Sequence, residues 1–559
     1  MDLLDFSDEI IEQIFLTQRI SHQDLGNICQ ACKRLNEIAS SNELWKVKLY
    51  NRWPTQWVSI PKESFRDVYK ERSANDAMIM IELRKIMRGS FHLRSIPHKL
   101  MKEISRVSVS ERSFIIDGLL AIINNADLKY LRMDLVYYAR KVYDYVRCQK
   151  ATSNLMNCVT RDGFHDLFEG IKFLAIGLEV DYLDNIHQIE DLKNMFDEKV
   201  LGTKEYEYPS MSTQEDIKRI LWMFNDFLLK DGTFAQKAFL LMSDTDRKFS
   251  SSALKCCFYI TLARKLGLDV NAVRIDDTSA RKSQFFTSIK PSIGDTIYIE
   301  FRSGMLKMVD EQSNLLARLK ATENATKKDI FVCLLHDVIE FYKHGGQISG
   351  RQIQKIQWLI ETLLQLSPTE DESRLFLTRI YLHQNSNIDE TLEHLTYLIS
   401  HGNLPSEPIH QLLTVTKRLE EEKKNEEKTQ PKLRSSTEDN QKVVYKIGMI
   451  MRHRRLGYMC VIYGWDNFCD MPYNWQRQMG VLDMLNGPNQ PFYNVMVNDG
   501  SNRYAAQESL MMHANPGEIA HEEIGKYFCS IINSCYYKPT EMLNEMYPED
   551  CDWFGCPDV

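Results

Sequence analysis

A multidomain α+β protein, with an N-terminal helical unit, a helix-rich α+β middle and a C-terminal small β-barrel, is what the sequence predicts, on three observations. Apolar residues at helical spacing dominate the chain as far as Leu419, and one stretch near 267–309 switches to β-formers. Beyond a charged segment poor in core-forming residues, the period changes to that of short strands. A chain of 559 residues also exceeds what one hydrophobic core supports, so two to four domains are expected.

Composition narrows the function classes. With 43% hydrophobic and 26% charged residues the chain reads as globular, and a formal net charge of −8 confines any polyanion-binding role to a local patch. The opening MDLLDFSDEI carries acids where a secretory leader carries cations, so no leader is expected. Apolar runs such as Phe173 to Leu178 are too short to cross a bilayer, and no membrane partner is expected. Thirteen irregularly spaced cysteines suit reduced thiols in cytoplasm or nucleus. Cys29 and Cys32 form a C-x-x-C inside a helical apolar pattern and read as core. A metal site from Cys529, Cys535, Cys551 and Cys556 lacks histidine and regular spacing, so no metal and no cofactor is expected.

The first unit, 1–50, begins with Ser7 as a cap and Asp8 and Glu9 in the first helical turn, where acids favour the helix dipole. Ile10, Ile11, Ile14 and Phe15 form an apolar stripe, repeated by Leu25, Ile28, Cys29 and Cys32, continued by Leu35 and Ile38, and closed by Leu44 and Trp45. A unit this small buries too little surface to stand alone, so it should dock on a partner or on the next domain. DEIIEQIF followed by DLGNICQACKRLNEIASSNELW resembles an F-box, although that family has a proline where this chain has Ser7. The resemblance implies a docking site for the Skp-type adaptor of a cullin ubiquitin ligase. The residues expected to hold the adaptor are Phe6, Ile10, Ile11, Ile14, Phe15, Leu25 and Ile28.

A helical region, 75–159, carries no chemistry. In 160–326, the order FHDLFEGIKFLAIGLEVDYLDNIHQIEDL, IKRILWMFNDFLL, and a buried helix ending at Gly267 before a β-rich stretch is similar to the SirB-type transglutaminase-like family. That family places a nucleophile at a buried helix N-terminus, served by a histidine and an acid on neighbouring strands. Here Cys256 and Cys257 are the thiols near the helix start. Gln284 stands where the family has histidine and cannot take a proton, and Glu300 stands where it has aspartate, with Gly304 following. His165 and His187 lie upstream in helical segments and read as structural. The resemblance therefore implies degenerate catalytic positions at Cys256, Gln284 and Glu300, and no catalytic residue is expected.

Five helical segments over 327–419 resemble a helical-hairpin array, with bundle packing equally compatible. EEEKKNEEKTQPKLRSSTEDNQ, from Glu420 to Gln441, reads as a flexible linker, set at 420–440. Past it, IGMIMRHRRLGYMCVIYGWD and GPNQPFYNVMVNDGSNRYAAQESL alternate apolar and polar residues between glycines, implying a small barrel over 441–515 with a tail, 516–559. These segments resemble the YccV-like family, also called HspQ-like or hemimethylated-DNA-binding. Arg452, Arg454 and Arg455 end a strand and enter a turn at Gly457, so they are expected as rim contacts. Asp466, Asp470, Asp483 and Asp499 offset their charge, which weighs for a protein-facing rim and against DNA.

The resemblances together imply a non-catalytic substrate-recognition subunit of a Skp-cullin-F-box ubiquitin ligase, recruiting target proteins for ubiquitination and degradation. Its partners would be the Skp-type adaptor, the cullin scaffold and a protein substrate whose identity the sequence does not disclose. The alternatives are a transglutaminase-like hydrolase and a DNA-binding protein acting through the YccV-like domain.

Overall fold

The computed structural model describes residues 3–17, 20, 22–53, 64–108, 114–161, 167–178, 251–265, 268–277, 282–291, 295–302, 305–309, 313–344, 350–426, 431–513, 516–532 and 535–550. His165, His187, Gly267, Gly304, Cys551, Cys556 and the segment 217–229 lie outside them. The chain divides into two compact units. One comprises Met1–Phe91, Leu100–Tyr143 and Gln430–Val559, the other His92–Lys99 and Asp144–Thr429.

The first unit opens with helices Asp8–Leu16, His22–Ile28, Lys33–Ala39 and Asn42–Arg52. Ile11, Phe15, Leu25, Leu35, Ile38, Leu44, Trp45 and Leu49 form their shared core. That core does not end at residue 50. Trp53 joins it, as do Val68 and Tyr69 from the long helix Phe65–Ser90. The Tyr69 ring receives the edges of Trp45 and Trp53 at centroid distances of 5.1 and 5.0 Å. The helical region therefore starts at Phe65, ten residues before its expected boundary, because its first turn closes a core too small to close itself.

In the second unit a helix, Ser252–Lys265, buries Ala253, Leu254, Cys256 to Ile260 and Ala263, while Lys255, Thr261 and Arg264 keep partial exposure. It packs on an antiparallel sheet of β1 (Val270–Asp277), β2 (Lys282–Ile289), β3 (Ile297–Arg302), β4 (Met305–Met308) and β5 (Asn324–Ala325), ordered β4-β3-β2-β1-β5. The residues of the expected helical-hairpin array do not stand apart from this core. Helices Lys327–Lys343 and Gly350–Leu366 supply Phe331, Leu334, Trp358 and Leu359 to the same cluster as Cys256, Phe285 and Ile299. Gly177, in helix Leu167–Leu178, shows how tightly they fit: a Cβ there would lie 1.9 Å from the Trp358 ring. Only the last helices, Ile388–His401 and Ser406–Glu426, build a separate cluster around Leu395, Leu398 and Ile409.

The flexible linker expected over 420–440 is narrowed from both sides: the chain divides between Thr429 and Gln430, within it, and residues 427–430 lie outside the described residues. Its first residues continue the helix Ser406–Glu426, and its last, from 431, are tied to the C-terminal domain. Alternating Glu and Lys suit an exposed helix as well as a coil, which is why composition misread them. The C-terminal domain contains β6 (Ile450–His453), β7 (Met459–Asp466), β8 (Phe492–Val497), β9 (Asn502–Ala506) and β10 (Leu510–Met512), in one antiparallel sheet ordered β10-β6-β7-β8-β9. No ladder joins β9 to β10 among the described residues. Their connection is only Gln507–Ser509, which spans at most about 14 Å, whereas the edges of a flat five-stranded sheet lie about 19 Å apart. The sheet must therefore curl.

Nor are residues 516–550 a tail. β11 (Phe528–Ile532) and β12 (Tyr536–Pro539) form a hairpin, and Ile519, Phe528, Tyr537, Leu543 and Tyr547 enter the core built by Ile450, Val461, Trp465 and Val495. Tyr537 N–H donates to the Gly448 carbonyl at 2.9 Å. Gly448 has φ +87°, and a Cβ there would meet the Tyr537 carbonyl at 2.1 Å, so only glycine permits the approach. Asp550, 1% exposed, completes the seam: it accepts from Trp465 Nε1 at 3.0 Å, from Ile447 N–H at 3.2 Å and from Nε and Nη2 of Arg434.

Candidate functional site

At the N-terminus, the expected adaptor stripe divides. Ile11, Phe15 and Leu25 are 0% exposed and are core residues, which corrects their assignment as contacts. Phe6, Ile14 and Ile28 are half-buried against that core, and Ile10, at 48% exposure, is the member that faces outward. Ile10 and Ile11 differ by about 100° around the helix, so one residue packs while its neighbour presents itself. Leu4, Val47 and Tyr50 are also exposed, and the helical pattern missed them because they sit in a short 3₁₀ turn and on the fourth helix. The entry segment is held in place by Arg34, which donates to the carbonyls of Leu4 and Phe6 and to Asp8.

In the second unit the residues expected as degenerate catalytic positions do not converge. Cys256 lies beneath the sheet face that packs on its helix, in the cluster of Phe285, Ile289 and Ile299. Gln284 precedes Phe285 by one residue, and Glu300 follows Ile299 by one and pairs in register with Phe286. Strand alternation thus puts Gln284 and Glu300 on the opposite face, the one carrying Phe286 and Tyr298. Nor is Cys256 at the helix N-terminus. Ser251 caps that end by accepting from Leu254 N–H at 3.3 Å, and Ser252 accepts from Phe285 N–H at 3.1 Å. The residue type at the helix head is therefore serine, legible only in retrospect from the Ser251-Ser252 pair.

Burial pushes the thiols of both Cys256 and Cys257 well above the ordinary range, because a thiolate there would have no water and no cation beside it. Native protein should accordingly leave both unlabelled by iodoacetamide near neutral pH, with labelling appearing only as denaturant unfolds the unit. Fast native labelling at either position, read by peptide mass spectrometry, would contradict the packing described.

The third site is the rim of the C-terminal domain. Arg452 lies in β6, and Arg454 and Arg455 in the turn closed by Gly457 at φ +73°. All three are exposed. Arg454 is anchored, its Nε donating to the Leu510 carbonyl at 3.1 Å. Beside them Arg503 pairs with Asp499 and lies 4.5 Å over the Tyr458 ring. His453 is held below the ordinary imidazole range, first by burial and then by Arg503 and Arg455, so it is neutral near pH 7.

With this geometry in view, comparison with known proteins is informative at both ends of the chain. Residues 8–49 match the F-box-like family model, and residues 443–534 match the model described as hemimethylated DNA-binding protein YccV-like. An F-box-like domain and a YccV-like domain are present in this chain. The chain is also similar along nearly its whole length to proteins named F-box only protein 21. That of Pongo abelii is 28% identical over 592 residues, spanning 99% of this chain and 92% of the relative. Those of Mus musculus and Homo sapiens are 27% and 28% identical over 600 and 604 residues, each spanning 99% of this chain and 93% and 92% of the relative. No solved structure matches it. The YccV-like match ends at 534, between the strands of the β11–β12 hairpin, whereas the packed domain runs on to Asp550. Among the described residues no helix is long and apolar enough to cross a membrane.

Proposed function

We propose that this chain is the substrate-recognition subunit of a Skp-cullin-F-box ubiquitin ligase, with the F-box-like domain holding the Skp-type adaptor and the later domains holding the target protein. The observation that carries the reading is the coincidence of the F-box-like match at 8–49 with a helical unit that exposes Leu4, Ile10, Val47 and Tyr50 although its own core is filled. Exposed apolar side chains on a small, internally satisfied unit serve association rather than folding. Within this reading the second unit is a non-catalytic body. The opposed faces of Cys256 and Gln284, and the raised thiols, support that part and weigh against a hydrolase.

Co-purification with a Skp-type adaptor tests the proposal. Leu4→Asp with Ile10→Asp should abolish it, since each buried aliphatic contact contributes about 1.5–3 kcal/mol, while urea unfolding of the full chain stays unchanged because neither side chain belongs to the core. Adaptor binding that survives the double substitution would overturn the assignment of this surface. Ile11→Asp is the contrasting variant, expected to unfold the unit, because Ile11 is core.

A further inference from the structure

We infer that the Arg452–Arg455 rim of the YccV-like domain docks an acidic, apolar-bearing linear segment of a target protein; the inference rests on the receptor reading above and gives its target-binding surface a chemistry. Arg452, Arg454 and Arg455 have no carboxylate within ion-pair distance among the described residues, whereas Arg503 beside them is already paired with Asp499. In a chain of net charge −8, an unneutralised cluster of this kind is complementary to a negative partner.

Apolar groups decide which kind of negative partner. β10 is an edge of the sheet, and its Met511 pairs in register with Arg452, which pairs in turn with Met459 of β7. Met511 and Met512 are exposed, and Leu456 at the turn tip is 63% exposed. The rim is thus a row of methionine and arginine across three strands with a leucine at its end. Met and Arg are the residues enriched where proteins meet proteins, and arginine stems offer further apolar area. A nucleic-acid backbone presents a dense line of phosphates and little that exposed Leu456 and Met511 could cover. Glu508 and Asp499 on the same domain would repel a long polyanion yet leave room for a short segment seated on the arginines.

The experiment is fluorescence anisotropy on the full-length chain with two labelled probes: a twelve-residue peptide alternating Asp/Glu pairs with Leu and Met, and a twelve-base-pair duplex. The amide version of the peptide, with Asn and Gln in place of the acids, is the control. The acidic peptide should bind, weaken with added salt, and lose about tenfold in affinity on Arg452→Glu with Arg455→Glu. Met511→Ser should lower affinity several-fold without altering the salt dependence. Adaptor co-purification, carried by the other end of the chain, should be unchanged in every variant. Three results overturn the proposal: no binding of the acidic peptide, peptide binding indifferent to the arginines, or a duplex that binds more tightly than the peptide. Failure of the parent chain to co-purify with an adaptor would sink the receptor reading alone.

Discussion

Asp550→Ala should destabilise the C-terminal domain by about 3–5 kcal/mol, the cost of removing one partner from a buried ion pair. Asp550 is 1% exposed, and its carboxylate accepts from Nε and Nη2 of Arg434, the Trp465 indole N–H and the Ile447 backbone N–H. Truncation leaves a half-buried guanidinium and two buried N–H groups without their acceptor, and each orphaned donor carries its own desolvation penalty. Urea titration read by tryptophan emission measures it, since Trp465 reports from the seam itself. A loss under about 1 kcal/mol would show that residues 535–550 are not part of the cooperative domain.

Acid should weaken the second unit over the interval from about pH 6.5 down to about pH 4. His394 stacks on Tyr381, and its Nδ1 faces the Arg374 guanidinium at 3.0 Å. The arginine can only donate, so Nδ1 must accept and the ring must be neutral. Burial, followed by the charge of Arg374, lowers the imidazole to about 4 from an ordinary value near 6.5. Between those values the unfolded chain binds a proton that the folded chain refuses. The stabilisation is therefore complete above about pH 6.5, falls as pH drops, and is gone near pH 4, amounting to about 3 kcal/mol. His394→Gln keeps an acceptor for Arg374 and removes the titration. Measured by urea unfolding at successive pH values, its stability should fall less steeply than the parent's across that interval; parallel curves would refute the assignment.

Read residue by residue, the periodic signals in the sequence located most elements and failed where a pattern had two physical meanings. The stripe of Ile10, Ile11, Ile14 and Phe15 correctly marked a helix, but apolar spacing cannot say which aliphatic residue faces its own core and which faces a partner. Charged residues at 420–426 read as coil by composition and are helix, because Glu and Lys serve both. Residues 516–550 read as a tail because their apolar residues come in short clusters with no sustained period, and they become core only when the hairpin folds back on the rest of the domain.

By itself, the sequence determined the order of helix and strand and the F-box-like and YccV-like segments with the turn that raises the arginines to a rim, since these depend on residue type and local spacing. Tertiary structure alone decided that Ile10 and Leu4 are presented while Ile11 is not, that Cys256 and Gln284 lie on opposite faces of one sheet, and that Asp550 closes a domain begun more than a hundred residues earlier. Each of these turns on which distant segment covers a side chain. Burial is a property of the pair of surfaces, and one of those surfaces is far away in the chain.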